Sequence, residues 1–111
     1  MDDLRGNCFK RALQLILKLP NKRRYRLCHG VLTHPTTGIR FYHGWVEDKK
    51  KQKVFNLRKY KRTIEADNIT YFYSLYQIRP EEVARFTILQ IAKQVEKTNN
   101  SGPWIKFKGV L

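Results

Sequence analysis

Three residues of the sequence have the side chains that a thiol hydrolase needs, and they occur in a matching order. Cys8 opens a run of apolar residues, His43 lies in a run of aromatic and branched residues, and Asn56 follows in the next such run. A catalytic cysteine needs a low thiol pKa, a base or ion-pair partner, and a group that orients this partner. Cys8, His43 and Asn56 can fill these roles in turn, which predicts thiolate attack on a carbonyl carbon.

An N-terminal helix is predicted to position the thiol. The apolar residues at positions 9, 12, 13, 16 and 17 recur at helical spacing, with Asn7 as a suitable N-cap and Pro20 beyond the end. This assignment places Cys8 near the first helical position. Backbone N–H groups and the helix dipole favour a thiolate there, and the same N–H groups can form one arm of an oxyanion hole.

A small antiparallel sheet is predicted to position the other two residues. Residues 25–32 and 39–47 are rich in aromatic and branched side chains, and the turn signature at 34–38 separates them, which predicts a β-hairpin. A third strand is predicted at 53–57, after the charged run 48–51. The fold class predicted is therefore α+β, with the Cys8 helix packed on the sheet.

Strand alternation sets the expected neighbours of His43. It places His43, Trp45 and Glu47 on one face of the second strand, while Gly44 on the other face permits close backbone approach. If the second and third strands pair through the turn near 49–51, Asn56 comes near His43. An amide oxygen of Asn56 can then accept from the imidazole and fix its tautomer.

Two segments in the second half of the chain each have two possible secondary-structure assignments. Residues 69–76 are predicted as a short helix capped by Asp67 and Asn68, or as a strand, because the aromatic content also favours a strand. Pro80 can start the last helix, or Thr87 can cap it and leave 82–86 as a strand. Residues 104–111 are expected to dock on a single domain that spans residues 1–111.

Short motifs resemble the papain-like/transglutaminase-like cysteine hydrolase superfamily, including small uncharacterised phage and bacterial members. They are Gly6-Asn7-Cys8, His43-Gly44-Trp45-Val46-Glu47, Val54-Phe55-Asn56-Leu57 and, more weakly, Gly102-Pro103-Trp104. The resemblance implies Cys8 as nucleophile, His43 as general base and acid, and Asn56 as orienter. Asn is the third residue of papain-like proteases, whereas transglutaminase-like proteins usually have Asp, and no Gln precedes Cys8 to supply an oxyanion-hole amide.

The charge of the chain suggests a second class of function. Lys and Arg number 23 against 9 Asp and Glu, which gives a formal charge of +14 and a pI near 10.1. Such a field attracts polyanions. Basic runs occur at 22–26, 49–53 and 58–62, and the candidate nucleic-acid-binding residues are Lys49, Lys50, Lys51, Lys53, Arg58, Lys59, Lys61 and Arg62.

Three functions therefore remain as hypotheses. The first is a cysteine hydrolase or acyltransferase that acts on a protein or peptide substrate. The second is a nucleic-acid-binding accessory protein. The third is a non-catalytic relative, of phage origin in one version of the hypothesis, that binds an acidic protein. Oligomeric state is not predicted.

The remaining cysteine and histidines are expected to be structural. Cys28 lies in an apolar strand and is expected to be buried, and His34 lies in the turn and is expected to be exposed. His29 is a rival to His43 but lacks a following orienter. Trp45 and the aromatic residues Tyr71 and Tyr73 are expected in the core.

Several classes of protein are not expected from the composition. Two cysteines make no disulfide framework, and their spacing with the three histidines is not that of a zinc site, so neither metal nor cofactor is expected. No apolar run is long enough for a membrane span, and the N-terminus does not resemble a secretory signal. A cytoplasmic location is expected, in the host cytoplasm if the protein is phage-encoded.

Overall fold

The computed structural model describes residues 4–56, 65–107 and 110, with side chains from residue 8 to 55, from 66 to 107 and at 110. The described residues form three α-helices and five β-strands, together with two short 3-10 helices at Lys22–Arg24 and Pro80–Glu82. The elements are α1 (Leu4–Lys18), β1 (Tyr25–Thr33), β2 (Arg40–Asp48), β3 (Lys53–Asn56), β4 (Glu65–Asn68), α2 (Ile69–Leu75), β5 (Val83–Phe86) and α3 (Ile88–Thr98). The predicted α+β class is confirmed.

The five strands form one antiparallel sheet in the order β4-β3-β2-β1-β5. The predicted hairpin of β1 and β2 is confirmed, and its register pairs Cys28 with Trp45 and His29 with Gly44. Cross-strand partners point to the same face of a sheet. Cys28 and Trp45 therefore share one face, and His29 and Gly44 share the other.

The start of α1 differs from the prediction. The helix begins at Leu4, so Asn7 is a helical residue and not the N-cap, and Cys8 is the fifth residue of the helix. The unpaired N–H groups of a helix belong to its first four residues, which here precede Cys8. The predicted end is correct, because α1 ends at Lys18 just before Pro20.

One face of the sheet is covered by α1 and α3, and we call it the α1 face. Ala12 and Ile16 of α1 pack with Leu27 of β1 and Val46 of β2, all of them fully buried. Ile91 of α3 completes this cluster. Burial against the sheet thus explains the helical spacing of the apolar residues in α1, except for Leu17, which is 49% exposed.

The opposite face is covered by α2, and we call it the α2 face. Its core contains Cys28, Trp45, Val54 and Phe72, each at most 1% exposed. The ring centroids of Trp45 and Phe72 lie 5.5 Å apart. The predicted burial of Trp45 and Cys28 is confirmed.

Capping side chains decide the two alternatives left open by the sequence. Asn68 accepts hydrogen bonds from the backbone N–H groups of Thr70 and Tyr71, so 69–75 is a helix. Thr87 and Gln90 form a capping box, so α3 starts at Ile88 and Val83–Phe86 is strand β5. Neither alternative included strand β4, which ends at Asn68. The four residues of β4 include three polar ones, so they lack the apolar alternation typical of a strand.

Candidate active site and basic surface

The Cys8 turn of α1 packs tightly against β2 at Gly44. A Cβ atom on Gly44 would lie 2.8 Å from Cδ1 and 3.2 Å from Cα of Phe9. Only a glycine allows a helix backbone this close to a strand. Cys8 directly precedes Phe9 and is 3% exposed, while His43 directly precedes Gly44. The contact therefore brings the chain segments of Cys8 and His43 together.

His43 projects from β2 on the α2 face. Its ring stacks on Trp45 with centroids 6.1 Å apart, it is 6.2 Å from Phe41, and it is 8% exposed. Within the described residues, the pairing of β2 with β3 covers Val46 to Asp48. His43 therefore lies on the face of β2 opposite to α1, the helix that carries Cys8.

Asn56, the predicted orienter, is the last residue of β3, and its backbone pairs with Glu65 of β4. Its side chain lies outside the described residues. The strand that carries Asn56 is thus next to the strand that carries His43, as predicted, while the role of the amide stays a prediction. Leu57, predicted as the end of the strand, also lies outside the described residues.

His29, the rival histidine, occupies a different environment on the α1 face. It is fully buried, and its ring lies 4.8 Å from Phe9, 5.2 Å from Phe86 and 4.7 Å from Trp104 between centroids. Nδ1 accepts a hydrogen bond from the backbone N–H of Trp104, so the proton of the neutral ring is on Nε2. Burial, and to a lesser degree His43, lowers the pKa of His29 to about 3. A base this weak does not suit thiol activation near neutral pH.

The C-terminal segment is held by this histidine. Gly102 has a φ of 121°, a region that favours glycine, and a Cβ there would collide with the His29 ring. Tyr42 adds a second anchor, because its hydroxyl accepts from the N–H of Phe107 at 2.5 Å. The predicted docking is confirmed for residues 104–107, and its sequence signal was the apolar and basic composition of residues 104–111.

Glu47 is the centre of a polar network on the α2 face. The carboxylate is 4% exposed and accepts from Trp45 Nε1 at 2.9 Å, Tyr73 Oη at 2.5 Å and Arg85 Nε at 3.1 Å. Burial and the charge of Glu47 raise the pKa of Cys28. Burial, with the hydrogen bond to Glu47, also raises the pKa of Tyr73. This network keeps the Cys28 side chain a neutral thiol.

The other predicted residues are placed as follows. His34 is exposed in the turn, where Nδ1 accepts from the N–H groups of Thr36 and Thr37, so this prediction is confirmed. Tyr73 is half-buried, but Tyr71 is 59% exposed, so its assignment to the core is wrong. Tyr71 lies on the outer side of the short helix α2. The strand assignment, the alternative that the sequence left open, did not predict this exposure.

The basic candidates are only partly described. Lys49, Lys50 and Lys51 are exposed in the turn after β2, and Lys53 opens β3. Arg58, Lys59, Lys61 and Arg62 lie outside the described residues. The fold also brings the run 22–26 beside this turn, as Arg24 forms a bidentate ion pair with Asp48 at 2.8 and 2.6 Å. The pairing of β1 with β2 thus joins two basic runs that the sequence separates.

Two further properties concern the described part of the chain. It contains no group of three or more His, Cys, Asp or Glu side chains arranged to hold a metal ion. None of its helices has both the length and the apolar character that a membrane crossing requires.

Comparisons with protein-family models, with curated proteins and with solved structures found no match to this chain. The resemblance to the papain-like/transglutaminase-like superfamily therefore stays a prediction from the short motifs.

Proposed function

We propose that the protein is a small cysteine hydrolase or acyltransferase in which Cys8 is the nucleophile and His43 transfers the protons. The observation that carries this proposal is the packing of Phe9 on Gly44, since it joins the helical turn of Cys8 to the strand of His43. A thiol and an imidazole on neighbouring rigid elements are the essential parts of a nucleophile–base pair.

The reaction proceeds in two balanced steps. The Cys8 thiolate attacks an amide or ester carbonyl, the C–N or C–O bond breaks, and the leaving group takes a proton from the His43 imidazolium. This gives a thioester. Water or an amine then attacks the thioester while His43 accepts its proton, and the acyl group leaves as an acid or a new amide with the thiol restored.

The ion pair with His43 is the main source of thiolate at Cys8. The helix dipole acts mostly within the first turn, and Cys8 lies just beyond that turn because α1 begins at Leu4. An adjacent imidazolium lowers a thiol pKa more strongly than a remote helix terminus does. Asn56 serves as the orienter of His43, and a protein or peptide is the substrate class.

The second cysteine supplies an internal contrast. Cys28 is fully buried beside Glu47, and both burial and that negative charge raise its pKa. A thiol in this environment is a poor nucleophile at neutral pH. The chemistry is therefore expected from Cys8 alone.

The first test measures the alkylation rate of each thiol against pH in the single-cysteine variants Cys28→Ala and Cys8→Ala. Cys8 should react with an apparent pKa well below the value of about 8.5 for an unperturbed thiol. His43→Ala should restore an ordinary pKa, whereas the control His34→Ala, which removes an exposed turn histidine, should leave it unchanged. A Cys8 thiol that titrates normally, or that does not react, would overturn the proposal.

The second test detects the covalent step. Incubation with p-nitrophenyl acetate should leave an acetyl thioester on Cys8, visible by mass spectrometry and released by hydroxylamine. His43→Ala should slow its formation by about 100-fold or more, the usual contribution of a general base. Acetylation of Cys28 at the same rate as Cys8, or an equal rate in His43→Ala, would count against the proposed pair.

A further inference from the structure

Two adjoining concavities lie where the start of β1, the turn after β2 and the start of α3 meet. The first has a volume of about 400 Å³ and is lined by Lys22, Arg23, Arg26 and Lys49, with Ile88 and Leu89 from α3. The second has a volume of about 350 Å³ and is lined by Asn21, Arg23, Arg24, Lys49 and Lys50. Arg23 and Lys49 line both, and we call the two concavities together the basic groove.

The charges of the basic groove are poorly neutralised. Among the described residues, neither concavity has a carboxylate in its lining, and the nearby Asp48 is 2% exposed and bound to Arg24. The hydrogen bonds that Arg24 and the turn backbone donate to Asp48 lower the pKa of its carboxyl group, so this pairing persists at neutral pH. The remaining cations therefore face the solvent without a counter-charge from the lining.

Some of these cations are also held in place. Lys22 donates to the carbonyl oxygens of Leu17 and Leu19 at 2.9 and 3.0 Å, and Arg26 donates to those of Arg23 and Tyr25 at 3.1 and 3.0 Å. Backbone carbonyl oxygens position these side chains but carry no full negative charge. The groove thus presents a fixed positive field before any ligand arrives.

We propose that the basic groove binds the sugar-phosphate backbone of single-stranded nucleic acid. Cations shared between two neighbouring concavities suit a ligand whose negative charges repeat at short intervals, as phosphates do along a strand. A flexible single strand can place successive phosphates in the two adjoining concavities. Leu89, which is 74% exposed at the rim, offers an apolar contact for a sugar or base.

This site is independent of the thiol chemistry, because it includes neither Cys8 nor His43. It also differs from the sequence-based candidates, since Arg23 and Arg26 come from the β1 side of the groove and were not among them. The recognition is expected to be insensitive to base sequence, because the cationic lining contacts phosphate rather than base edges.

The test uses fluorescence anisotropy with a labelled mixed-sequence single-stranded oligonucleotide and the full chain at several salt concentrations. The variant Arg23→Glu/Lys49→Glu reverses the two shared cations, which are both exposed, so the fold should persist. We expect an affinity loss of at least about tenfold. The slope of log K against log salt concentration should become less negative by about 1.4, the change expected for two lost phosphate contacts on a single strand.

The matched control is Lys10→Glu/Lys97→Glu, which makes the same charge change at exposed positions outside the groove. Lys97 lies at the far end of the eleven-residue helix α3, about 15 Å from the end that lines the groove. This control should lose less than about threefold, and Cys8→Ala should bind like the parent.

Three results would overturn the proposal. Equal losses in the groove and control variants would show that net charge alone drives the binding. Tighter binding of a duplex of the same sequence would exclude the single strand as the preferred ligand. Displacement of the oligonucleotide by poly-glutamate at equal charge concentration would identify the groove as a site for acidic protein.

Discussion

The two faces of the sheet bury titratable side chains in contrasting surroundings, as His29 and Glu47 illustrate. On the α1 face, His29 sits among Phe9, Phe86 and Trp104 as a neutral ring. On the α2 face, Glu47 sits among three hydrogen-bond donors as an anion. The α1 face should therefore be sensitive to acid, and the α2 face to the loss of a donor.

The difference also separates the two cysteines. Cys28 shares the α2 face with Glu47, whose charge raises its thiol pKa, while Cys8 lies on the helix whose backbone contacts Gly44. The charge of Glu47, together with burial, opposes ionisation of the Cys28 thiol. Reactivity in this protein is thus expected to follow from which element carries the sulfur, not from burial, because both cysteines are buried.

The largest expected effect concerns acid and the α1 face. The pKa of His29 is about 3 in the folded protein and about 6.5 in the unfolded chain, so the unfolded chain binds more protons between these values. Stability therefore falls as the pH is lowered through this window. The His29 contribution should lose about 2.5 kcal/mol between about pH 7 and pH 4.5, as measured by urea unfolding.

His29→Phe isolates this effect, because a phenyl ring fits among aromatic neighbours but takes up no proton. Between about pH 7 and pH 4.5, the unfolding free energy of His29→Phe should fall by about 2.5 kcal/mol less than that of the parent, whatever the absolute stability of the variant. His34→Phe, which removes an exposed histidine, is the control and should keep the parent slope. Parallel pH profiles for His29→Phe and the parent would show that burial does not change the proton uptake of His29, which would contradict the prediction.

The next effect tests the α2 face. Tyr73 donates to Glu47 and accepts from Arg85 at 2.6 Å, so Tyr73→Phe removes a link between two charged groups. A hydrogen bond to a charged group contributes about 1.5–3 kcal/mol, and we expect a loss of about 2 kcal/mol of unfolding free energy. The measurement is urea unfolding at neutral pH.

The same change at Tyr71, which is 59% exposed on the same helix, is the matched control and should cost less than about 0.5 kcal/mol. Since removal of the hydroxyl weakens the network around Glu47, Tyr73→Phe should also change the alkylation rate of Cys28 but not that of Cys8. A Tyr73→Phe protein as stable as Tyr71→Phe would mean that the Glu47 network adds nothing to the fold.

Local sequence signals predicted those parts of the fold that local physics determines. The turn signature at 34–38 and the aromatic and branched runs beside it predicted the β1–β2 hairpin, and the lack of a side chain at Gly44 predicted a close backbone approach. Strand β4 was not predicted, because its stability comes from pairing with β3, which is a contact with another segment of the chain.

The candidate site was predictable residue by residue but not as an arrangement. Helical periodicity did not reveal that α1 begins at Leu4, since residues 4–7 lack the apolar spacing that marks the rest of the helix. Neither did it reveal the basic groove, because residues 22–26 and 49–50 are neighbours only through the antiparallel register. The buried role of His29 depends on Trp104, which lies 75 residues away in the chain.

The smallest effect compares the caps of the helices on the two faces. Thr87 caps α3 on the α1 face within a capping box, and Asn68 caps α2 on the α2 face by accepting from two N–H groups. Removal of either cap by Thr87→Ala or Asn68→Ala should cost about 1 kcal/mol in urea unfolding. Because α2 also covers Trp45 and the Glu47 network, the Asn68 variant should additionally speed hydrogen exchange of the Trp45 indole N–H, and Thr87→Ala should not. Equal exchange at Trp45 in both variants would contradict the assignment of α2 as the element that seals the α2 face.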